Sequence, residues 1–318
     1  MTVLEASGAT DTSPGMRSSP DRNPAGRRVA LGNEDMSVGE SIDAVDGPAR
    51  DGTGALEARS MSQVSAPLYA TPHVVTRLDQ CVFYHSVDLP RSGAVKGTWD
   101  LRAGVDRYLG GVSFVGKRVL EIGPATGYLT FHMERAGAEV VAIELSEAFG
   151  WDYVPQVDAL TPEVLRKRQL GMDRLRNGFW LAHAEFGSSA QVHYGSAYSI
   201  PAELGSFDIA VIGCVLLHCR DPLKVVENCA RVARTLVIVD RRWPDLEGGP
   251  TCRLVPTREN GIWDTWWDLS SSLLTQFLAV LGFSDATVSF HEQEKLHAMV
   301  PLFTVVASRP SSASKTSC

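Results

Sequence analysis

The sequence predicts an α/β fold built around a doubly wound sheet. Two observations carry this prediction: short apolar runs suited to buried parallel strands alternate with helical segments from residue 118 onward, and a glycine-rich turn follows the first run. The candidate strands are residues 118–122, 139–144, 192–194, 209–212, 235–240, 286–290 and 302–307, with a predicted helix at 271–281 before the last two. Such sheets bind ligands beyond the carboxyl ends of their strands, where we expect the site.

The flanking segments suggest four regions. Residues 1–67 lack aromatic residues and are rich in Gly, Ser, Pro, Asp and Arg, so we expect a disordered tail. Residues 68–117 mix aromatic and polar side chains and predict an N-terminal cap with a helix at 101–109. The catalytic domain is predicted at 118–309, with a substrate-side insertion at 151–191, and a second flexible tail at 310–318.

Composition limits the possible partners. The chain has 318 residues and a net charge of −7, which opposes a large phosphate-binding surface and makes nucleic acid an unfavoured partner. No run of eighteen apolar residues and no signal-peptide pattern occur, so we expect a soluble cytoplasmic protein without a membrane partner. The cysteines and histidines show no zinc-ligand spacing, and we expect no metal site. The oligomeric state is left open.

The glycine-rich turn is the first candidate binding element. Gly123 and Gly127 remove side chains where the turn must tighten, and a helix that begins near Tyr128 offers free amide groups. Glu121 adds an acceptor for an ammonium group. The turn has neither the G-x-G-x-x-G pattern nor a P-loop lysine, so a nucleoside with an amino-acid tail fits better than a pyrophosphate.

The ends of the next strands supply further candidates. Glu144 ends the second strand, where a carboxylate can accept hydrogen bonds from both hydroxyls of a ribose. Ser196 follows the third strand and could read an adenine edge, and Gly213 follows the fourth. The alternative is that these residues merely end their strands. The complete predicted cofactor set is Trp99, Glu121, Gly123, Ala125, Gly127, Glu144, Leu145, Ser196, Ala197, Gly213 and Cys214.

These features resemble the class I S-adenosylmethionine-dependent methyltransferases. Asp88-Leu-Pro90, Trp99, the segment 216–222 and Leu254-Val-Pro256 are further similar to the bacterial tRNA uridine carboxymethyltransferase branch. The resemblance implies a Rossmann-like, seven-stranded sheet and S-adenosylmethionine as cofactor. Leu217 stands where that branch has a tyrosine, and Glu294-Lys295 stands where we align an arginine pair, so the resemblance implies ordinary S-adenosylmethionine rather than its carboxylated form.

Four residues are candidate catalytic groups. His218 follows the fourth strand and is either a general base or a residue that bonds the backbone at the start of the next helix. His183 and Glu185 lie in the insertion, and Tyr128 directly follows the glycine turn. A base is useful for a hydroxyl or carbon acceptor and dispensable for a soft nucleophile.

Aromatic residues suggest an acceptor wall. Trp151, Tyr153, Trp180 and Trp263 are the predicted substrate-binding residues, and Trp180 shares a helical face with His183. Core packing is the alternative for Trp180, and packing against the sheet is the alternative to a lid for Trp263. The basic run 166–168 is predicted to be a solvated helix face.

The leading functional hypothesis is methyl transfer to a small-molecule acceptor, such as a specialised natural-product metabolite. One alternative is a tRNA wobble-uridine alkyl-transferase of the carboxymethyltransferase type. The other is a non-catalytic nucleotide-binding scaffold that keeps the fold without turnover. The sequence leaves the acceptor molecule and its reacting atom open.

Overall fold

The computed structural model describes residues 67–146, 150–156 and 159–310. The two predicted tails therefore lie, apart from Pro67 and Pro310, outside the described residues. The elements before the glycine turn are short: β1 (Val87–Leu89), β2 (Gly93–Val95), β3 (Trp99–Asp100) and α1 (Val105–Tyr108).

The remaining elements alternate as the sequence predicts. They are β4 (Arg118–Ile122), α2 (Tyr128–Arg135), β5 (Glu139–Glu144), α3 (Pro162–Phe186), β6 (Gln191–Tyr194), β7 (Phe207–Gly213), α4 (Pro222–Val232), β8 (Ala233–Arg241), β9 (Cys252–Leu254), β10 (Trp267–Leu269), α5 (Ser271–Val280), β11 (Asp285–Lys295) and β12 (Ala298–Ser308). Short 3-10 helices include Leu216–His218, which follows β7.

The central sheet has the order β3-β11-β12-β8-β7-β4-β5-β6 within the described residues. Strands β4 to β8 pair in parallel, whereas β12 runs antiparallel to β8 and to β11. The prediction of a Rossmann-like, doubly wound sheet of the class I methyltransferase type is confirmed. An eighth strand, β3, joins the seven predicted ones because β11 extends far enough to pair Glu294 with Asp100 and Lys295 with Trp99.

The strands are buried because both faces of the sheet are covered. Val119, Leu120 and Val211 are fully buried, and the buried side chains form one apolar cluster on each face of the sheet. Helix α3 starts where the Thr161 hydroxyl accepts a hydrogen bond from the Val164 amide and ends at Gly187 in the left-handed conformation. Packing of the helices against the sheet fixes the strand ends that meet at the candidate site.

Two predictions about local structure are wrong. The helix expected at 101–109 is only the four-residue α1, because the Asp100 carboxylate accepts a hydrogen bond from the Arg102 amide (3.1 Å) and turns the chain there. Strands β11 and β12 form a hairpin of eleven residues on each side, roughly twice the predicted length, and part of β11 is exposed. Most of the missed part of β11, residues 291–295, alternates buried His291, Gln293 and Lys295 with exposed glutamates, so its inward face is polar and shows no apolar alternation in the sequence.

Two further properties concern the described part of the chain. Its helices include none with both the length and the apolar character that a membrane span requires. Among the same residues, no group of three or more His, Cys, Asp or Glu side chains is arranged to hold a metal ion.

Candidate active site

A cavity of about 410 Å³ opens at the carboxyl ends of β4, β5, β6 and β7. Its size falls within the range of small-molecule sites. The floor consists of strand-end residues, the roof comes from the N-terminal cap, and α3 with the loops at 150–152 and 264 forms a side wall. Residues of the predicted cofactor set line this cavity, namely Trp99, Glu121, Gly123, Ala125, Glu144, Leu145, Ser196, Ala197, Gly213 and Cys214.

The glycine turn leaves β4 in a left-handed conformation at three positions. Gly123, Ala125 and Gly127 have φ angles of 70°, 51° and 81°. A Cβ atom at Gly127 would lie 2.4 Å from Phe131 Cε2, so this glycine packs against the helix that follows the turn. Gly127 does not line the cavity, and its role there is to let the turn close.

Glu121 is buried at the end of β4 and lines the cavity. The Thr130 hydroxyl of α2 donates a hydrogen bond to its carboxylate. Burial raises the pKa of Glu121 to about 7, because the charged form loses its hydration. A cationic group bound in the cavity would stabilise the ionised carboxylate, which is the property expected of an ammonium-binding residue.

Glu144 occupies the end of β5, beside the turn. Its carboxylate accepts a hydrogen bond from the Leu145 amide (2.8 Å). Burial raises its pKa, and this effect is opposed by the Leu145 hydrogen bond and by the nearby positive charge of Arg176. Arg176 also donates to the Leu145 carbonyl (2.8 Å), which fixes the backbone that carries the carboxylate. A carboxylate held in this way suits the paired hydroxyls of a ribose.

The ends of β6 and β7 complete the floor. The Ser196 hydroxyl accepts a hydrogen bond from the Tyr198 amide (3.2 Å), and the Ala197 carbonyl accepts one from Asn228 Nδ2 (3.0 Å). A Cβ atom at Gly213 would lie 2.8 Å from the Tyr108 hydroxyl, so the roof approaches β7 too closely for a side chain. Cys214 follows with a φ of 52°.

His218 stands on the side wall and lines the cavity. Its Nδ1 is bonded to the Asp264 carbonyl oxygen. A carbonyl can only accept, so Nδ1 carries the proton and Nε2 is the accepting nitrogen of the neutral ring. The Trp151 indole also lines the cavity and contacts the His218 ring edge-on, with 5.5 Å between ring centroids. The wall thus brings together a predicted base and a predicted substrate-binding aromatic.

Arg168 corrects the prediction for the basic run. It is 7% exposed, lines the cavity, and places its guanidinium 3.7 Å from the centre of the Trp151 ring. The residue belongs to the face of α3 that also carries Met172 and Leu175 to the cavity. Composition of the run gave no sign of this burial, but the spacing of these positions on one helix face could have shown it.

The roof contains residues that the sequence reasoning missed. Tyr84, His85, Leu101 and Tyr108 line the cavity together with the predicted Trp99. The Trp99 indole nitrogen donates to the Tyr84 hydroxyl (3.2 Å). The mixture of aromatic and polar residues around position 84 is the signal that could have singled them out.

Three predicted residues of α3 lie away from the cavity. Trp180 is buried in the core and donates to the Tyr194 hydroxyl (3.0 Å). His183 donates to the Ala190 carbonyl (3.1 Å), at the end of its helix. Glu185 accepts hydrogen bonds from the amides of Arg91 and Ser92 in the turn between β1 and β2. These three side chains contact other parts of the fold rather than the cavity, so the cavity geometry lends no support to their predicted catalytic and substrate roles.

Tyr128, Tyr153 and Trp263 also lie outside the cavity lining. Tyr128 is buried in the core as the first residue of α2. Tyr153 and Trp263 pack on each other with 5.5 Å between ring centroids, and the Val154 amide donates to the Trp263 carbonyl (2.8 Å). These contacts favour the packing alternative for Trp263 and join the loop before α3 to the loop before β10.

The chain is similar in sequence to a methyltransferase family model and to two known methyltransferases. A family model described as a methyltransferase domain matches residues 156–237. Ubiquinone biosynthesis O-methyltransferase from Aromatoleum aromaticum is 33% identical over 131 residues, which cover 41% of this chain and 44% of that protein. The enzyme of the same name from Hahella chejuensis is 32% identical over 120 residues, or 37% of this chain and 40% of that protein. The matches therefore span less than half of these relatives.

Among solved structures, the N-terminal domain of EvdMO1, crystallised in the presence of S-adenosylhomocysteine and D-fucose, resembles the chain with a TM-score of 0.45 and 20% identity. The match covers 73% of this chain and 93% of that domain. Residues 156–237 are thus similar to a methyltransferase domain, and they lie within a sheet whose strand order and glycine turn are those of a Rossmann-like fold.

Proposed function

We propose that this chain transfers a methyl group from S-adenosylmethionine to a hydroxyl group of a small-molecule acceptor. One observation carries the proposal: a single cavity joins the turn and Glu144 to the wall that holds His218 and Trp151. A cofactor held at the strand ends and an acceptor against that wall would share one enclosed space. Proximity of this kind is the main contribution that an enzyme makes to methyl transfer.

The cofactor, when bound, supplies an electrophilic methyl group on a sulfonium and leaves as S-adenosylhomocysteine. Glu144 would hold the ribose, and Glu121 the ammonium of the amino-acid tail. His218 Nε2 would take the proton of the acceptor hydroxyl as the new oxygen–carbon bond forms, and Asp264 would stabilise the resulting imidazolium through its carbonyl. Trp151 offers a flat apolar face for a planar acceptor.

Three observations support the choice of donor and acceptor. Among the described residues that line the cavity, Arg168 is the only arginine or lysine, which suits ordinary S-adenosylmethionine better than a carboxylated donor. Leu217 is buried. The curated relatives bear the name of O-methyltransferases that act in ubiquinone biosynthesis, which supports an oxygen of a small molecule as the acceptor. A specialised metabolite as acceptor and a cytoplasmic location complete the proposal.

The test uses purified protein and S-adenosylmethionine labelled in its methyl group. The protein and the labelled cofactor are incubated separately with catechol, with a small-molecule extract of bacterial cells, and with bulk tRNA. Label in a small molecule, released as a methoxy compound, is the expected result. Label in tRNA would support the carboxymethyltransferase-like alternative instead, and cofactor binding without transfer to any acceptor would support the scaffold.

A further inference from the structure

The His85 imidazole is a buried polar group that the proposed mechanism leaves unused. The side chain is 8% exposed and lines the cavity from the roof. Within the described part of the chain, its Nδ1 has no hydrogen-bond partner. A buried polar atom without a partner destabilises a folded protein, so such atoms are rare and often mark the place of a ligand.

The backbone holds His85 in a fixed position. The Trp99 amide donates to the Tyr84 carbonyl (2.9 Å), and the Ser86 amide donates to the Trp99 carbonyl (2.7 Å). Gly97 lies directly against this segment, since a Cβ atom there would be 2.3 Å from the His85 carbonyl carbon. The imidazole is therefore placed by main-chain contacts on both sides, as expected of a side chain that positions a ligand.

The neighbours of His85 indicate which part of a ligand it would meet. Its ring lies 5.8 Å from the ring of Tyr128, the first residue of α2 after the glycine turn, and 5.0 Å from that of Tyr84. Glu144 and Ser196 stand at the ends of other strands and suit the ribose and the adenine. With the ribose and the adenine assigned to those strand ends, the amino-acid tail is the part of the cofactor that would reach the end of the cavity nearest α2, where His85 lies.

The charge state of His85 suits that tail. Burial lowers its pKa to about 4, because the cationic form loses its hydration. At neutral pH the ring therefore has one N–H donor and one accepting nitrogen. The tail carries a carboxylate that accepts and an ammonium that donates, so a neutral imidazole can bond to either group without adding a charge to the site.

We propose that His85 binds the amino-acid tail of the cofactor and, together with Glu121, positions it. This inference rests on the proposed function, since it takes S-adenosylmethionine as the ligand. It assigns the N-terminal cap a direct part in cofactor recognition.

The experiment compares two ligands by calorimetry with the full chain. S-adenosylhomocysteine has the tail, and 5′-methylthioadenosine has the same adenosine without it. His85→Leu should weaken binding of S-adenosylhomocysteine about tenfold or more, the usual effect of losing a hydrogen bond to a charged group, and leave 5′-methylthioadenosine unchanged. His85→Asn, which keeps a donor and an acceptor, should lose less and provides the test if the leucine variant does not fold.

His291→Asn is the matched control, because His291 is equally buried and lies outside the cavity lining. Equal weakening of both ligands, or unchanged affinity for S-adenosylhomocysteine, would overturn the inference. A loss of turnover with unchanged affinity would also overturn it and would indicate a role in the chemical step. The proposed function alone would be refuted if His85→Leu weakens binding of S-adenosylhomocysteine only, as expected, but the wild-type protein methylates no acceptor.

Discussion

The floor and the upper walls of the cavity are built in different ways. The floor consists of the ends of four parallel strands, so each of its residues is placed by the local run of chain in which it lies. The roof and side wall join the cap at 84–108, the loop at 150–152, Arg168 of α3 and Asp264, which only tertiary packing brings together. The floor therefore follows from the order of the strands, whereas the walls depend on contacts between segments that are distant in sequence.

The difference suggests a division of labour. A floor made by the fold suits the cofactor, and the side wall assembled from distant segments suits the acceptor, while the roof contributes His85 to the proposed site for the cofactor's amino-acid tail. Substitutions in the two parts should then affect different measured quantities.

The largest effect is expected at His218. Replacing it by asparagine should lower kcat by about 10²- to 10⁴-fold, the usual contribution of a general base, while the affinity for S-adenosylhomocysteine stays within about twofold. Steady-state kinetics with the identified acceptor, combined with calorimetry, measure both. If cofactor affinity falls together with kcat, His218 contributes to cofactor binding, and the assignment of the side wall to the acceptor is wrong.

Gly127→Ala should destabilise the protein by about 2–4 kcal/mol, because the new Cβ meets Phe131 and the φ of 81° disfavours a side chain. Gly111→Ala is the matched control: its φ is 67°, but the space around it is open. It should cost about 1–2 kcal/mol from the backbone alone. Urea unfolding of both variants gives the comparison, and equal losses would show that crowding at the turn is unimportant.

Glu144→Ala should weaken S-adenosylhomocysteine binding about 30- to 100-fold, because two ribose hydroxyls lose a charged acceptor. Calorimetry at constant pH measures this. Adenosine should lose affinity by a similar factor, since it carries the same ribose. Unchanged binding of either ligand would remove Glu144 from the proposed cofactor site.

Glu121→Gln should produce a pH-dependent change. The folded pKa of about 7 lies above the ordinary carboxyl value, so the unfolded chain loses its proton first and the free energy of unfolding falls as pH rises toward 7. The variant lacks this loss and should be more stable than wild type at pH 8, by up to about 3 kcal/mol, and equally stable near pH 4. S-adenosylhomocysteine should bind it about tenfold more weakly at pH 8.

Asp240→Asn is the control that separates the effect of Glu121→Gln on stability from its effect on cofactor binding. Asp240 is also buried, burial raises its pKa to about 7, and it lies outside the cavity lining. Its amide variant should show the same gain in stability at pH 8, measured by thermal melting, with unchanged cofactor affinity. Weaker binding in both variants would mean that the loss reflects general disturbance of the strand ends.

The smallest effect is expected at His183, which packs at the end of α3. His183→Leu should change kcat and KM by less than about twofold, because the residue lies outside the cavity. A large loss of kcat without a loss of thermal stability would extend the acceptor wall to this part of α3.

The same contrast explains what the sequence could reveal. Strand and helix order and the positions of Glu121, Gly123 and Glu144 follow from short stretches of sequence. The positions of Trp180 and Glu185 away from the cavity could not be predicted, because spacing along a helix does not tell which partner its face meets. The burial of Arg168 and His85 could not be predicted, because a charged residue in a basic run, and a histidine in a segment that mixes aromatic and polar residues, resemble surface groups until tertiary packing buries them.

The pairing of β3 with β11 also affects how the protein is made. Trp99, which roofs the cavity, pairs with Lys295, and the Leu296 amide bonds to the Thr98 carbonyl (3.0 Å). A ribosome produces these partners nearly two hundred residues apart, so the cap must wait for the last hairpin before its strand can pair. The cofactor floor can form earlier in synthesis, and the roof of the site is completed only when β11 has emerged.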